Sequence, residues 1–186
     1  MAKLVYLTNT SLDGYIEDQY GAFDLYEPDD EVFAATTALL RSFGTLLYGR
    51  RLYETMAVWE TNPALAKLSD RTADFASAWQ AAAKVVYSTT LTDVSTATTR
   101  LERDFDKAAV QELKTAATSD LTIGGANLAA QAFAAGLVDE CHRFTWPILL
   151  GGGKPALPAD VRTNLDLLDE HRFNNGVVRL RYHVPT

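Results

Sequence analysis

The sequence predicts an α/β domain: a mainly parallel sheet with helices on both faces. Three observations carry this reading. Short apolar, β-type runs alternate with segments of helical periodicity along the chain. Glycines at 44, 49, 124, 125 and 136 punctuate the junctions between the two kinds of segment. The 186 residues are 47% hydrophobic and 22% charged, an ordinary balance for one core of this size.

The elements follow in order. Residues 4–7 predict a buried strand over 3–9. Residues 10–28 hold Gly14, Gly21, Pro28 and several Asp, and predict a long loop of the kind that usually carries function. Asp29 or Asp30 caps a helix with Val32, Phe33, Thr36, Leu39, Leu40 and Phe43 on one face, and Gly44 ends it. Residues 45–48 are a strand, from which Gly49 turns the chain into a helix over 50–57. Asn62-Pro63 opens the next helix, and Leu65, Leu68, Thr72, Phe75, Trp79 and Ala82 keep its three-four spacing.

Residues 84–87 are a strand closed by Ser88-Thr89-Thr90, and 97–101 a further short one. A helix covers 105–117, a strand 121–123 and an Ala-rich helix 126–135, which Gly136 closes. Residues 138–146 form a strand and Gly151-Gly152-Gly153 a loop. Residues 165–173 and 177–184 flank Asn174-Asn175-Gly176, a hairpin signal that adds antiparallel strands at the end. With no linker or repeat, residues 1–186 read as a single domain.

Charge narrows the function classes. A net charge of −7 disfavours nucleic acid and anionic membrane as partners, since both demand a basic face. Cys141 is the one cysteine, so no disulfide framework is implied. The opening apolar run is too short for a signal peptide, and no run is long enough to span a membrane, which makes a cytoplasmic protein the simplest expectation. His142, His171 and His183 lack ligand spacing, so no metal is expected.

In a sheet of this class ligands gather where strands hand over to helices. Gly124-Gly125 is such a turn: glycines admit a ligand close to the backbone, and the following helix offers free N–H groups to a phosphate. A plain tight turn would carry the same pair. Arg50 and Arg51 stand in a first helical turn, where a cation opposes the helix dipole at a cost of roughly 0.3–1 kcal/mol each. A bound anion would offset that cost, and Arg50 is the stronger candidate. Ser88-Thr89-Thr90 offers three hydroxyls and no carboxylate, a combination suited to a 2′-phosphate.

Several motifs occur together and in order. They are Thr10-Ser11-Leu12-Asp13-Gly14-Tyr15-Ile16, Tyr48-Gly49-Arg50-Arg51-Leu52-Tyr53-Glu54, Ile123-Gly124-Gly125-Ala126, and Gly136-Leu137-Val138-Asp139-Glu140 followed by Pro147 and Leu150-Gly151-Gly152-Gly153. The set resembles the RibD C-terminal-domain branch of the dihydrofolate-reductase-like superfamily over nearly the whole chain.

The resemblance implies a three-layer α/β/α sandwich and NADPH as hydride donor. It implies Gly49 and Arg50 near the cofactor phosphates, Ser88 and Thr89 near the 2′-phosphate, and Gly124, Gly125, Ala126 and Asn127 under the pyrophosphate. It also implies a cis bond between Gly124 and Gly125. Leu12, Asp13 and Gly14 would border nicotinamide and substrate. Asp30, after Pro28-Asp29, is the candidate for the carboxylate that dihydrofolate reductases carry on their first helix, though the preceding loop differs. Leu52 stands where the family usually has Thr. The zinc deaminase half of the bifunctional riboflavin enzyme has no counterpart, since the chain lacks His-x-Glu and Cys-x-x-Cys.

The expectation is therefore an NADPH-dependent reductase of a small heterocyclic or carbonyl-like acceptor, akin to 5-amino-6-(5-phosphoribosylamino)uracil reductase or dihydrofolate reductase. The protein would orient the cofactor and exclude water. Protonation would come from a loop water or from an acid such as Asp30. The alternative is a non-catalytic dimeric nucleotide-binding module of the same fold. It would associate as a homodimer through the Gly151–Gly153 loop and the final hairpin.

Overall fold

Consecutive residues of the central strands are apolar on both sides, and the reason is visible in the core. The computed structural model describes residues 1–22 and 29–185. In β1 (Leu4–Thr10), Leu4 and Tyr6 enter one core and Val5 the other, all at 2% exposure or less. β3 (Phe43–Gly49) and β4 (Ala83–Tyr87) repeat this: Leu47 and Val85 face one side, Leu46 and Val86 the other. A sheet buried on both faces reads as apolar runs rather than as alternation.

The eight-stranded sheet has the order β5-β4-β3-β6-β1-β7-β10-β9, with β5 (Thr99–Glu102), β6 (Asp120–Gly124), β7 (Glu140–Thr145), β9 (Asp166–Arg172) and β10 (Val178–His183). Every neighbouring pair from β5 to β7 is parallel. The hairpin adds β10 antiparallel to β7, and β9 antiparallel to β10. On one face lie α1 (Asp30–Ser42), α2 (Arg50–Met56) and α5 (Asp70–Ala81), around Trp79, which is fully buried. On the other lie α6 (Lys107–Ala116) and α7 (Ala126–Ala134), through Val110, Leu128 and Ala129. This is the three-layer α/β/α arrangement with a terminal antiparallel hairpin that the sequence predicts. No helix among the described residues is long and apolar enough to cross a membrane.

Four details differ from the expectation. First, the long loop contains a short strand, β2 (Tyr15–Glu17), which pairs antiparallel with β8 (Lys154–Pro155); Pro28 lies outside the described residues. Second, α1 stops at Ser42, because Phe43 is already extended (φ −97°, ψ 129°) and buried in β3; Gly44 is a strand residue whose absent Cβ would lie 3.2 Å from Ser119 Cβ. Third, the helix expected from Asn62 onward is two helices, α4 (Pro63–Ala66) and α5, preceded by the one-turn α3 (Val58–Thr61). Ser69 restarts the chain: its hydroxyl accepts from Thr72 N while Thr72 Oγ1 accepts from Ser69 N, a reciprocal capping box. Fourth, no described peptide bond is cis, so Gly124-Gly125 turns through the positive φ of Gly125, +91°, instead.

Candidate functional site

Parallel strands end together, so β3, β4, β5 and β6 release their connections along one edge of the sheet. The residues that leave these ends are Gly49, Ser88, Arg103 and Gly125. They line a cavity of about 540 Å³. Of the residues expected near a cofactor, Gly49, Arg50, Ser88, Thr89, Gly125 and Asn127 line it together.

Its floor is backbone. A Cβ on Gly125 would lie 3.9 Å from Gly49 N, and φ +91° would strain any other residue there. The two glycine turns thus approach each other with nothing between them. Gly125 also precedes α7 without a side-chain cap, which leaves N–H groups of the first turn open to an anion.

The walls carry charge and hydroxyls. Arg50 Nε donates to Glu54 Oε1 at 2.8 Å, and Arg50 Nη1 donates to Thr90 Oγ1 at 2.9 Å. Those two bonds hold the guanidinium against the end of β4. Ser88 Oγ accepts from Thr90 N at 3.2 Å and from Leu91 N at 2.9 Å. Its hydrogen therefore remains available to donate outward. Tyr87 and Phe105 add an aromatic pair, centroids 5.5 Å apart and tilted by 53°. Burial raises the Tyr87 phenol to about 12, so it stays neutral.

Several lining residues were not anticipated. Arg103 Nη1 donates to the carbonyls of Ser88, at 3.1 Å, and of Leu91. The guanidinium binds the loop after β4 to the end of β5. Beside it Asp104 lines the same cavity. The Ser88-Thr89-Thr90 segment has no carboxylate, as expected, and the neighbouring strand end supplies one. Lys154 enters from β8. Arg51 also lines the cavity, and its Nη1 lies 3.3 Å from Glu17 Oε1 on β2. The lining thus carries Arg50, Arg51, Arg103 and Lys154 against Asp104, in a chain of net charge −7. Only the Arg50-Arg51 pair gave a sequence signal; the others depend on which strand ends meet.

Other expected residues sit elsewhere. Gly124 is buried beneath the cleft, and its reason is packing: a Cβ would lie 2.4 Å from Leu52 Cδ2. Leu52 thus fills the space a side chain at 124 would need. Ala126 is 7% exposed and packs inward. Leu12, Asp13 and Gly14 form a turn, with Gly14 N donating to Ser11 O at 3.0 Å and Gly14 at φ +91°. That turn is tied to the glycine loop, since Asp13 accepts from Gly151 N at 2.8 Å and Leu150 N at 3.2 Å. A hydrogen bond from Ser11, with those from Gly151 and Leu150, holds the Asp13 carboxyl below the usual range. Asp30 does not join the cleft: its side chain is 92% exposed on α1 and paired with Arg71 of α5.

Comparison with known proteins adds the family. The model of the family described as RibD C-terminal domain matches residues 2–179. An uncharacterized Bacillus subtilis protein, YyaP, is 29% identical over 177 residues, covering 93% of this chain and 90% of its own. Among solved structures, a protein provisionally described as a riboflavin biosynthesis protein from Shewanella sp. PV-4 superposes with a TM-score of 0.77 at 22% identity, covering all of both chains. A Thermotoga maritima diaminohydroxyphosphoribosylaminopyrimidine deaminase/5-amino-6-(5-phosphoribosylamino)uracil reductase gives 0.65 at 12% identity, over 99% of this chain and 57% of that one. Dihydrofolate reductase from Enterococcus faecalis, complexed with NADP(H), gives 0.62 at 12% identity, over 99% and 97% of the two chains. These structural likenesses establish the dihydrofolate-reductase-like fold.

Proposed function

The chain belongs to the RibD C-terminal domain family, and we propose that it is an NADPH-dependent reductase of a small heterocyclic or carbonyl-like acceptor. The observation that carries this reading is the cleft itself: four cations and open hydroxyls around a floor of two glycine turns, at the strand ends of a reductase fold. That donor set fits a dinucleotide phosphate. Gly125, Asn127 and the first turn of α7 would hold the pyrophosphate. Arg50 would pair with a phosphate oxygen. Ser88 and Arg103 would take the 2′-phosphate, and Arg103 offsets the adjacent Asp104. Neutral Tyr87 and Phe105 offer an apolar face to the adenine.

When bound, NADPH would supply a hydride. The turn at Leu12, Asp13 and Gly14 would border the acceptor and help exclude water. Its hydrogen bonds to the 148–151 loop keep it in place without the ligand. Asp30, exposed and paired with Arg71, is not assigned the proton transfer.

The test is binding and turnover. NADPH titration should give saturable binding with at least a several-fold preference over NADH. An acceptor screen followed by loss of NADPH absorbance, including dihydrofolate and the riboflavin-pathway ribosylaminopyrimidine, should reveal substrate-dependent oxidation. Absence of NADPH binding at millimolar concentration would refute the reading; binding without turnover of any acceptor would favour the non-catalytic module. We also propose a homodimer, because β9 is an edge strand that carries Leu167 and Leu168, 56% and 49% exposed, with Leu165 just before it at 38%. Light scattering at micromolar concentration should return twice the 20.4 kDa chain mass.

A further inference from the structure

Two glycine-bearing segments far apart in sequence, residues 12–14 and 151–153, are joined into one unit. Leu12 N donates to Ile148 O at 2.8 Å, Gly151 N to the Asp13 carboxylate at 2.8 Å, and Ala156 N to Gly14 O at 3.0 Å. The antiparallel pair β2–β8 continues it, with Glu17 opposite Lys154. Gly153 makes this approach possible: a Cβ there would lie 2.0 Å from Glu17 O, and its φ is +131°. The backbone before Lys154 is therefore packed directly against Glu17 and Asp18. Its consequence is that the Lys154 side chain lines the cleft from outside the four strand ends that form it.

The other cations of the cleft have partners: Arg50 with Glu54 and Thr90, Arg51 with Glu17, Arg103 with two carbonyls. Among the described residues Lys154 has no ion-pair partner. A half-buried lysine without a carboxylate partner, carried on a ribbon held from both sides, can take an anion the chain itself does not provide. Its place along the cleft says which anion. The strand order β5-β4-β3-β6-β1 puts Arg103 and Ser88 at one end. The β2–β8 ribbon reaches the cleft at the end of β3, where its Glu17 meets Arg51. β3 and β5 stand two strand spacings apart, on the order of 10 Å.

We propose that Lys154 binds the diphosphate of the nucleotide and not the 2′-phosphate. The ribbon made by residues 12–17 and 148–156 is then the device that delivers it. Only the identity of the full cofactor rests on the function proposed above; a diphosphate is the ligand required here.

The experiment titrates the parent, Lys154→Ala, Lys154→Arg and Arg103→Ala with ADP, NADPH and NADH at two salt concentrations. Lys154→Ala should weaken all three ligands by the same factor, about tenfold, as for loss of a partly exposed charge-assisted bond. It should leave the NADPH/NADH ratio unchanged and reduce the salt dependence. Lys154→Arg should keep most of the affinity, and the apo melting curve of Lys154→Ala should match the parent. Arg103→Ala should instead lower the NADPH/NADH ratio. Unchanged ADP affinity in Lys154→Ala, or a loss confined to NADPH, would overturn the assignment. A parent that binds ADP through Lys154 but not NADPH would remove the reductase reading and keep this one. A parent that binds none of the three would remove both.

Discussion

Arg50 tests the proposed cofactor site most directly, because the structure shows what else it does. Its guanidinium bonds Glu54 within its own helix and Thr90 across the cleft. Removing it by Arg50→Ala therefore has two separable effects. In the apo protein, an exposed i,i+4 pair worth about 0.3–0.5 kcal/mol is lost, together with an exposed hydrogen bond to Thr90 worth about 0.5 kcal/mol. The same substitution removes a cation from a first helical turn, a gain of roughly 0.3–1 kcal/mol. Loss and gain nearly cancel, so the melting temperature should move by no more than about 2 °C for a chain of this length.

In the complex the balance differs. A charge-assisted bond to a phosphate is worth roughly 1.5–3 kcal/mol. The side chain is 49% exposed, which sets the expectation at the lower end, about 1.5 kcal/mol or roughly a tenfold rise in Kd. Arg50→Lys should recover part of this, since a point charge cannot keep the Glu54, Thr90 and phosphate contacts of a planar fork at once. Glu54→Gln should cost less than Arg50→Ala, because Thr90 still orients the group. Arg51→Ala should matter less too, as that side chain is 78% exposed and turned to Glu17. Fluorescence titration with NADPH, beside apo melting curves, reads all four. An Arg50→Ala variant with the parental Kd would mean the guanidinium is only a helix-surface brace.

Two further outcomes test the scaffold. Gly124→Ala should destabilise by about 1–3 kcal/mol through overpacking on Leu52, and the Gly124→Ala, Leu52→Ala double variant should be more stable than additivity predicts, as measured by denaturant melts. At Glu140, side chain 4% exposed, burial pushes the carboxyl up, but hydrogen bonds and charge from Lys3 and His142 outweigh that and hold it at about 2. A depressed carboxyl pKa stabilises the fold above its ordinary value of 4.5 and loses that contribution as pH falls toward 2, on the order of 3 kcal/mol. Glu140→Gln should thus be less stable at pH 7, with a flatter stability profile between pH 4.5 and 2; a profile parallel to the parent would exclude the cluster as the source.

Why some of this was legible in the sequence and some was not follows from which interactions are local. The central strands and the helices between them announce themselves, since burial on both faces demands the apolar runs at 4–7, 45–48, 84–87 and 121–123. Gly49 and Gly125 were also legible, because a turn from strand to helix at a ligand edge uses them for a backbone reason that neighbours cannot change. Gly124 looks identical in sequence, yet its cause is Leu52, seventy-two positions earlier, and no local pattern distinguishes a glycine that admits a ligand from one that admits a leucine. The restart at Ser69 was locally encoded, but the apolar spacing from Leu65 to Ala82 runs through it, and the capping pair Ser69-Thr72 lacks the usual Glu or Gln. Arg103, Asp104 and Lys154 belong to a third kind. Each is an ordinary charged residue whose meaning comes only from the strand order, which brings the end of β5 and the β2–β8 ribbon to one cleft. The motifs thus locate the floor of the site, where backbone geometry is the requirement, while the walls that would set its charge and selectivity are a product of topology. The choice between NADPH and NADH should accordingly respond more to Arg103 and Asp104 than to the glycines beneath them.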